Sequence, residues 1–166
     1  MRAVFQRVKN AAVDILDEPQ HRSAEIGAGA LILLAVENND TEADAKWLAS
    51  KIARMRVFGD VDGKMNLSLL DVGGDALVVS QFTLYGSMKK GTRPSFNRSA
   101  RAEISKPLYE KFLECLETEL GKKVGRGVFG AMMDVTLTND GPVTIILDTD
   151  GAITPLNSER TARDGA

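Results

Sequence analysis

Residues 134–148 read DVTLTNDGPVTIILD, and both halves carry a strand pattern. Val135 and Leu137 alternate with Thr136 and Thr138, and a β-branched run follows from Val143 to Ile146. Between them Asn139-Asp140-Gly141 is turn chemistry, so the segment predicts a last pair of strands around a sharp corner. The proline that follows, Pro142, fixes φ, removes a backbone donor and admits a cis bond, a geometry found at roughly 5–6% of X-Pro positions. The corner is therefore either a plain hairpin or a place where backbone is held out to touch something.

The rest of the chain mixes strands with two helical stretches. RAVFQRV, AAVDIL and AEIGAGALILLAVE predict an opening meander, with Gly27 and Gly29 marking a bend or bulge in the third strand. Thr41 to Asp44 has the form of a capping box, and Ala45, Leu48, Ala49, Ile52 and Ala53 recur at helical spacing, which predicts an amphipathic helix over 42–55 with Trp47 at its edge. Residues 59–75 are rich in glycine and aspartate and predict a loop-rich connection. ALVVSQFTLY, 76–85, is the strongest strand signal. A second amphipathic helix is expected from Lys106 to Leu120, opened by Pro107 in its first turn and ended by Gly121.

At 166 residues, 43% of them hydrophobic and 27% charged, the chain is long enough for one domain with a real core, expected over 1–149, and a loose tail is expected over 150–166. No apolar run approaches the roughly 18 residues of a membrane span, and no secretory leader follows Met1, which favours the cytoplasm. The single Cys115 excludes an intrachain disulfide and any multi-cysteine metal site. A net charge of −2 argues against wholesale coating of nucleic acid but leaves room for a local basic patch.

The usual catalytic groups fall away. His21, the only histidine, lies in the polar turn DEPQHRS and reads as surface; Cys115 reads as buried filler on the apolar side of the second helix. There is no G-x-S-x-G elbow, phosphate loop or H-E-x-x-H, so neither metal nor cofactor is expected. What remains is SQFTLY, where polar residues interrupt an apolar strand. A regular pleat places Ser80, Phe82 and Leu84 on one face and Gln81, Thr83 and Tyr85 on the other. Such a strand is either half-solvated or runs into a pocket, with Gln81 and Thr83 offering hydrogen bonds and Phe82 a stacking face. Beyond it MKKGTRPSFNRSAR, 88–101, carries Lys89, Lys90, Arg93, Arg98 and Arg101 and no acid; it is a solvated loop or a loop shaped around a phosphate backbone.

MRAVFQRV, KMNLSLLDVGGDALVVSQFTLY, KKGTRPSF and NDGPVT, in this order and spacing, closely resemble the D-aminoacyl-tRNA deacylases from Met1 to about Asp148. The resemblance implies an α/β fold, a β-barrel-like pair of sheets layered against two helices. It implies a homodimer with its two active sites at the subunit interface, and hydrolysis of the ester that joins a D-amino acid to the terminal adenosine of tRNA. Carried over, Gly141 and Pro142 form a cis pair that reaches from one subunit into the other's site, where main-chain carbonyls grip the amino group of the substrate. Ser80, Gln81, Phe82 and Thr83 line the pocket, backbone N–H groups near Phe82 and Thr83 hold the oxyanion, and the basic loop with Lys89, Lys90 and Arg93 meets acceptor-stem phosphates. Glycyl-tRNA, having no side chain to exclude, is an expected second substrate. The Thr83 hydroxyl and the ribose 2′-hydroxyl both stay open as assistants to the attack, with a positioning role preferred for Thr83. DILDEPQHRSAEIG is more polar than the family's usual first hairpin, and the tail runs past its usual end. Outside catalysis, the competing reading is a module that binds RNA ends without cleaving them.

Overall fold

A computed structural model describes residues 1–17 and 19–150, and most of the expected tail, 151–166, lies outside the described residues. Its organising element is one long strand, β1 (Arg2–Ile15), where two shorter strands are expected. The chain stays extended through exposed Lys9 and Asn10 because partners on both sides hold it. Along one edge β1 pairs antiparallel with β2 (His21–Ile26) and β3 (Gly29–Ala35). Val8 faces Gly29 and Ala11 faces Ile26, so the register continues past Gly27-Ala28 and the expected bend in one long strand is present.

The largest correction concerns the C-terminal corner. Residues Met133–Asp148 form a single strand, β8, and both halves pair with the other edge of β1 instead of with each other. Asn139 sits opposite Val8 and Thr144 opposite Gln6, which leaves 140–143 bulged out against Arg7 alone. Local turn chemistry is satisfied in the bulge, while the free edge of β1 captures the strand on both sides of it.

The sheet continues from β3 through parallel pairing to β6 (Asp75–Ser80) and then β7 (Gly125–Arg126). The Ser23 hydroxyl on β2 donates to the Arg126 carbonyl at 2.9 Å, drawing β7 toward β2 so that the mixed sheet curls nearly into a barrel. Val8, Ala11, Val13, Ile26, Leu31, Leu77 and Val79 fill one core on its inner side. Between β3 and β6, the segment expected to be loop forms a small antiparallel ribbon, β4 (Phe58–Gly59) with β5 (Met65–Leu67).

The other face of the sheet is covered by helices α1 (Glu42–Arg54) and α2 (Ala102–Leu120), where Phe5, Ile32, Leu34, Leu48, Ile52, Phe112, Leu113 and Leu116 make the main core. The α1 start is the expected capping box: the Thr41 amide and hydroxyl both donate to the Asp44 carboxylate, at 2.9 and 2.7 Å. Helix α2 begins four residues earlier than Pro107 suggests, with the Ser105 hydroxyl bonded to the Arg101 carbonyl at 3.0 Å. Pro107 is tolerated inside because it is exposed, as is Glu103, whose carbonyl loses its helical partner to water instead of to a dry interior. Gly121 ends the helix in the left-handed region at φ 67°.

Candidate active site

β3 stops at Ala35, so once the Gln81 amide has bonded to the Leu34 carbonyl at 2.8 Å the chain leaving β6 has no strand to pair with on that side. It turns instead: Phe82–Tyr85 is a 3-10 turn, with the Leu84 amide bonded to the Gln81 carbonyl at 3.2 Å and the Gly86 amide to Thr83 at 2.9 Å. The alternating faces expected for residues 80–85 are therefore absent. Tyr85 is buried between the Arg2 and Arg98 guanidinium groups, 4.9 and 5.1 Å from its ring centre, whereas Phe82 is 57% exposed.

A cleft of about 380 Å³ opens at this strand end. Ser80, Gln81 and Phe82 line it; Thr83 is exposed and is not part of its wall. The opposite wall is Phe129–Met133 with Val135, a segment that sequence reasoning missed, since GVFGAMM carries no polar signal. The floor includes buried Tyr109, whose hydroxyl donates to the Val78 carbonyl at 3.0 Å. Burial pushes the Tyr109 phenol well above its ordinary pKa, so it stays protonated and structural. Among the described residues no backbone carbonyl receives the Phe82 or Thr83 amide, and both N–H groups are available to a ligand.

The basic loop is tied down at its base and open at its tip. Ser87 and Ser95 exchange two backbone bonds of 2.8 and 2.9 Å, and Phe96 meets the Phe82 ring edge to face at 5.0 Å. Lys89, Lys90 and Arg93 are exposed at the tip with no ion pair among the described residues. Arg98, counted with them in the sequence, is otherwise engaged: it makes a two-pronged bond to Glu37 at 2.9 and 3.2 Å and reaches Asp150 at 3.0 Å. Asp150, placed by the sequence at the start of the loose tail, is thus in contact with the folded body.

Gly141 and Pro142 are joined by a cis peptide bond and lie exposed on the β8 bulge. No residue of the bulge lines the cleft of its own chain. Arg7 holds the bulge from below, donating to the carbonyls of Asp140 and Val57 and pairing with the Asp140 carboxylate at 3.1 Å. From the side, the Asn139 side-chain oxygen Oδ1 receives the Val143 amide at 2.8 Å. Gly141 is at φ 128°, and a Cβ there would stand 2.8 Å from Val143 and 3.1 Å from Arg7. Arg7 is not singled out by the sequence, and Asn139 is read there only as turn chemistry.

His21 is exposed, with Nδ1 2.9 Å from the Pro19 carbonyl, and half-buried Cys115 has its thiol pushed up by burial, so neither is a nucleophile poised at the cleft. Among the described residues no three His, Cys, Asp or Glu side chains converge as metal ligands, and no helix is long and apolar enough to cross a membrane.

The family model described as D-Tyr-tRNA(Tyr) deacylase matches residues 4–148. The D-aminoacyl-tRNA deacylase of Chromobacterium violaceum is 55% identical over 148 residues, 89% of this chain and 97% of the relative. That of Porphyromonas gingivalis is 54% identical over 149 residues, 90% and 97% of the two chains. Among solved structures, a c-Myc DNA unwinding element binding protein superposes with a TM-score of 0.80 at 38% identity, covering 89% of this chain and 98% of its own. A probable eukaryotic D-amino acid tRNA deacylase has a TM-score of 0.78 over the same shares and, at 16% identity, shows the fold alone. With nearly the whole described chain spanned at this level of identity, the protein belongs to the D-Tyr-tRNA(Tyr) deacylase family and hydrolyses the ester bond of D-aminoacyl-tRNA.

Proposed function

We propose that the active enzyme is a homodimer in which the Gly141-Pro142 bulge of one protomer closes over the Ser80–Thr83 cleft of its partner. The observation that carries this reading is the separation of two exposed backbone displays within one chain: the bulge lines no part of its own cleft. Half-buried Val4 and Leu33 and 69%-exposed Ile146 lie side by side across β3, β1 and β8, an apolar strip suited to burial against a second copy.

In the assembled site the bulge carbonyls hold the substrate ammonium, and a backbone wall stiffened by Arg7 and Asn139 occupies the space that an L side chain would need. Selection is then steric and independent of side-chain identity. D-amino acids point away from the wall, and glycine, with nothing to exclude, is also a substrate. Water adds to the ester carbonyl carbon, the oxyanion accepts the Phe82 and Thr83 amides, and the carbon–oxygen bond to the ribose breaks as the water's proton passes to the leaving oxygen. An aminoacyl ester is reactive enough for positioning and oxyanion stabilisation to suffice without a triad. The exposed Phe82 face stacks on the terminal adenine, Lys89, Lys90 and Arg93 meet acceptor-stem phosphates, and the substrate places the reaction in the cytoplasm.

Deacylation of matched D- and L-tyrosyl-tRNA by the purified protein tests this directly: the D ester is cleaved and the L ester spared, and equal rates contradict the wall. A second reading, nucleic-acid-end binding in its own right, draws on the basic loop and on the DNA-element binding named for the 38%-identical relative. It predicts tight retention of uncharged RNA or DNA ends, unaffected by blocking the cleft.

A further inference from the structure

The Phe82–Thr83 peptide has a second anchor that the reaction as described does not use. The Ser99 hydroxyl, arriving from the far limb of the basic loop, donates to the Phe82 carbonyl at 2.7 Å. Ser99 is itself held on both sides: its amide bonds to the Phe96 carbonyl at 3.0 Å, and the next amide, Ala100, bonds to the carbonyl of Val36, just past the end of β3, at 2.9 Å. The hydroxyl is therefore presented from a fixed point instead of sampling solvent.

The Phe82 carbonyl and the Thr83 N–H belong to one planar trans peptide, in which the two groups point in opposite directions. Fixing the oxygen fixes where the N–H aims. A carbonyl that accepts a hydrogen bond also polarises its own peptide, which makes the N–H at the other end a stronger donor. We infer that Ser99 is a positioning residue for deacylation, aiming and strengthening the Thr83 N–H as the oxyanion donor. Edge-to-face packing of Phe96 on Phe82 holds the same peptide from the side-chain direction, and the loop that presents tRNA phosphates is by this route tied to the group that stabilises the transition state. The inference rests on the oxyanion role given to Thr83 under Proposed function.

The test compares Ser99→Ala, Ser99→Thr, Gly141→Ala and Asn38→Ala on D-tyrosyl-tRNA, with kcat and KM measured separately and the Thr83 amide followed by NMR. Removing an oxyanion donor outright lowers kcat by about 10²–10³-fold; mis-aiming one is expected to lower it about tenfold with KM nearly unchanged. In Ser99→Ala the Thr83 amide proton should move upfield, and Ser99→Thr, which restores the hydroxyl, should restore both kcat and the resonance. Asn38→Ala loosens the same limb, by loss of the bond from its side chain to the Asn97 carbonyl, and should leave kcat as it is. Full activity in Ser99→Ala beside an inactive Gly141→Ala overturns the inference and leaves the site standing; full activity in both overturns the site as well. Equal losses in Ser99→Ala and Asn38→Ala, or failure of Ser99→Thr to restore kcat, reduce the bond to a staple of the loop and overturn the inference.

Discussion

The two backbone displays of this protein are built in opposite ways. The turn after β6 exists because a strand runs out of partners: β3 ends at Ala35, and residues 82–85 coil into free space until the basic loop closes on them through Phe96 and Ser99. The bulge in β8 exists despite partners on both sides, since β1 pairs with the strand before and after it, and what keeps 140–143 out of the ladder is Arg7 beneath and Asn139 beside. The first display is supported by a loop and the second by the sheet. The difference teaches where each can be broken: the bulge from within the core strand β1, the turn from a segment distant in sequence.

The largest effect is expected where the bulge leaves no room. Gly141→Ala puts a Cβ 2.8 Å from Val143 at a φ of 128°, so the bulge must shift. A displacement of about 1 Å at a reacting centre can lower the rate about 10²-fold, while the strained φ costs roughly 1–2 kcal/mol. Deacylation should fall at least that far in a protein that still melts cooperatively; retained activity would mean the bulge is not at the reaction. Next comes Arg7→Lys. One ammonium cannot replace a fork that serves two carbonyls and a carboxylate, and an unsatisfied buried carbonyl costs about 1–3 kcal/mol. Both melting temperature and D-selectivity should drop together, whereas Ser99→Ala should lower kcat alone; the same signature from both variants would erase the distinction between the displays.

A smaller effect is expected at the loop tip. Replacing Lys89, Lys90 and Arg93 with glutamine should raise KM several-fold and flatten its dependence on salt by up to about three counterions' worth, with stability unchanged because all three are exposed. A salt dependence identical to that of the parent would leave the loop as solvated surface. The smallest lies far from both displays, at the α1 cap. Burial pushes the Asp44 carboxyl up, but the Thr41 hydroxyl and amide, with the Thr149 hydroxyl and the N-terminal ammonium, outweigh it and hold the group below the usual carboxylate range. A depressed carboxyl stabilises the fold fully above its unfolded pKa and stops doing so as pH falls through the folded one. Asp44→Asn should therefore cost about 1 kcal/mol near neutrality and show a shallower loss of stability below pH 4, with deacylation untouched.

Much of this architecture is legible in local pattern. Helix α1 appears within one residue of its expected bounds because capping box and apolar spacing agree, and Ser80 and Gln81, the polar residues that interrupt an apolar stretch, line a cleft beside Phe82 where strand β6 ends. What is illegible depends on partners. Asn-Asp-Gly announces a turn, but whether the flanking strands pair with each other or with β1 is decided by the free edge of β1, more than a hundred residues away. The end of β6 depends likewise on where β3 stops. Arg7 and Ser99 stand in the sequence only as parts of longer stretches, and each matters through main-chain oxygens that the fold brings to it.

Mixed dimers test the central claim most directly. Phe82→Asp places a carboxylate against the forming oxyanion and the phosphates of tRNA at a largely exposed position, and Gly141→Ala disables the bulge. If each site takes its cleft from one protomer and its bulge from the other, a purified heterodimer of the two inactive variants contains one site with both parts intact and should recover about half of the parent activity. Verified heterodimers that stay as inactive as either parent variant would place cleft and bulge in one chain and contradict the account.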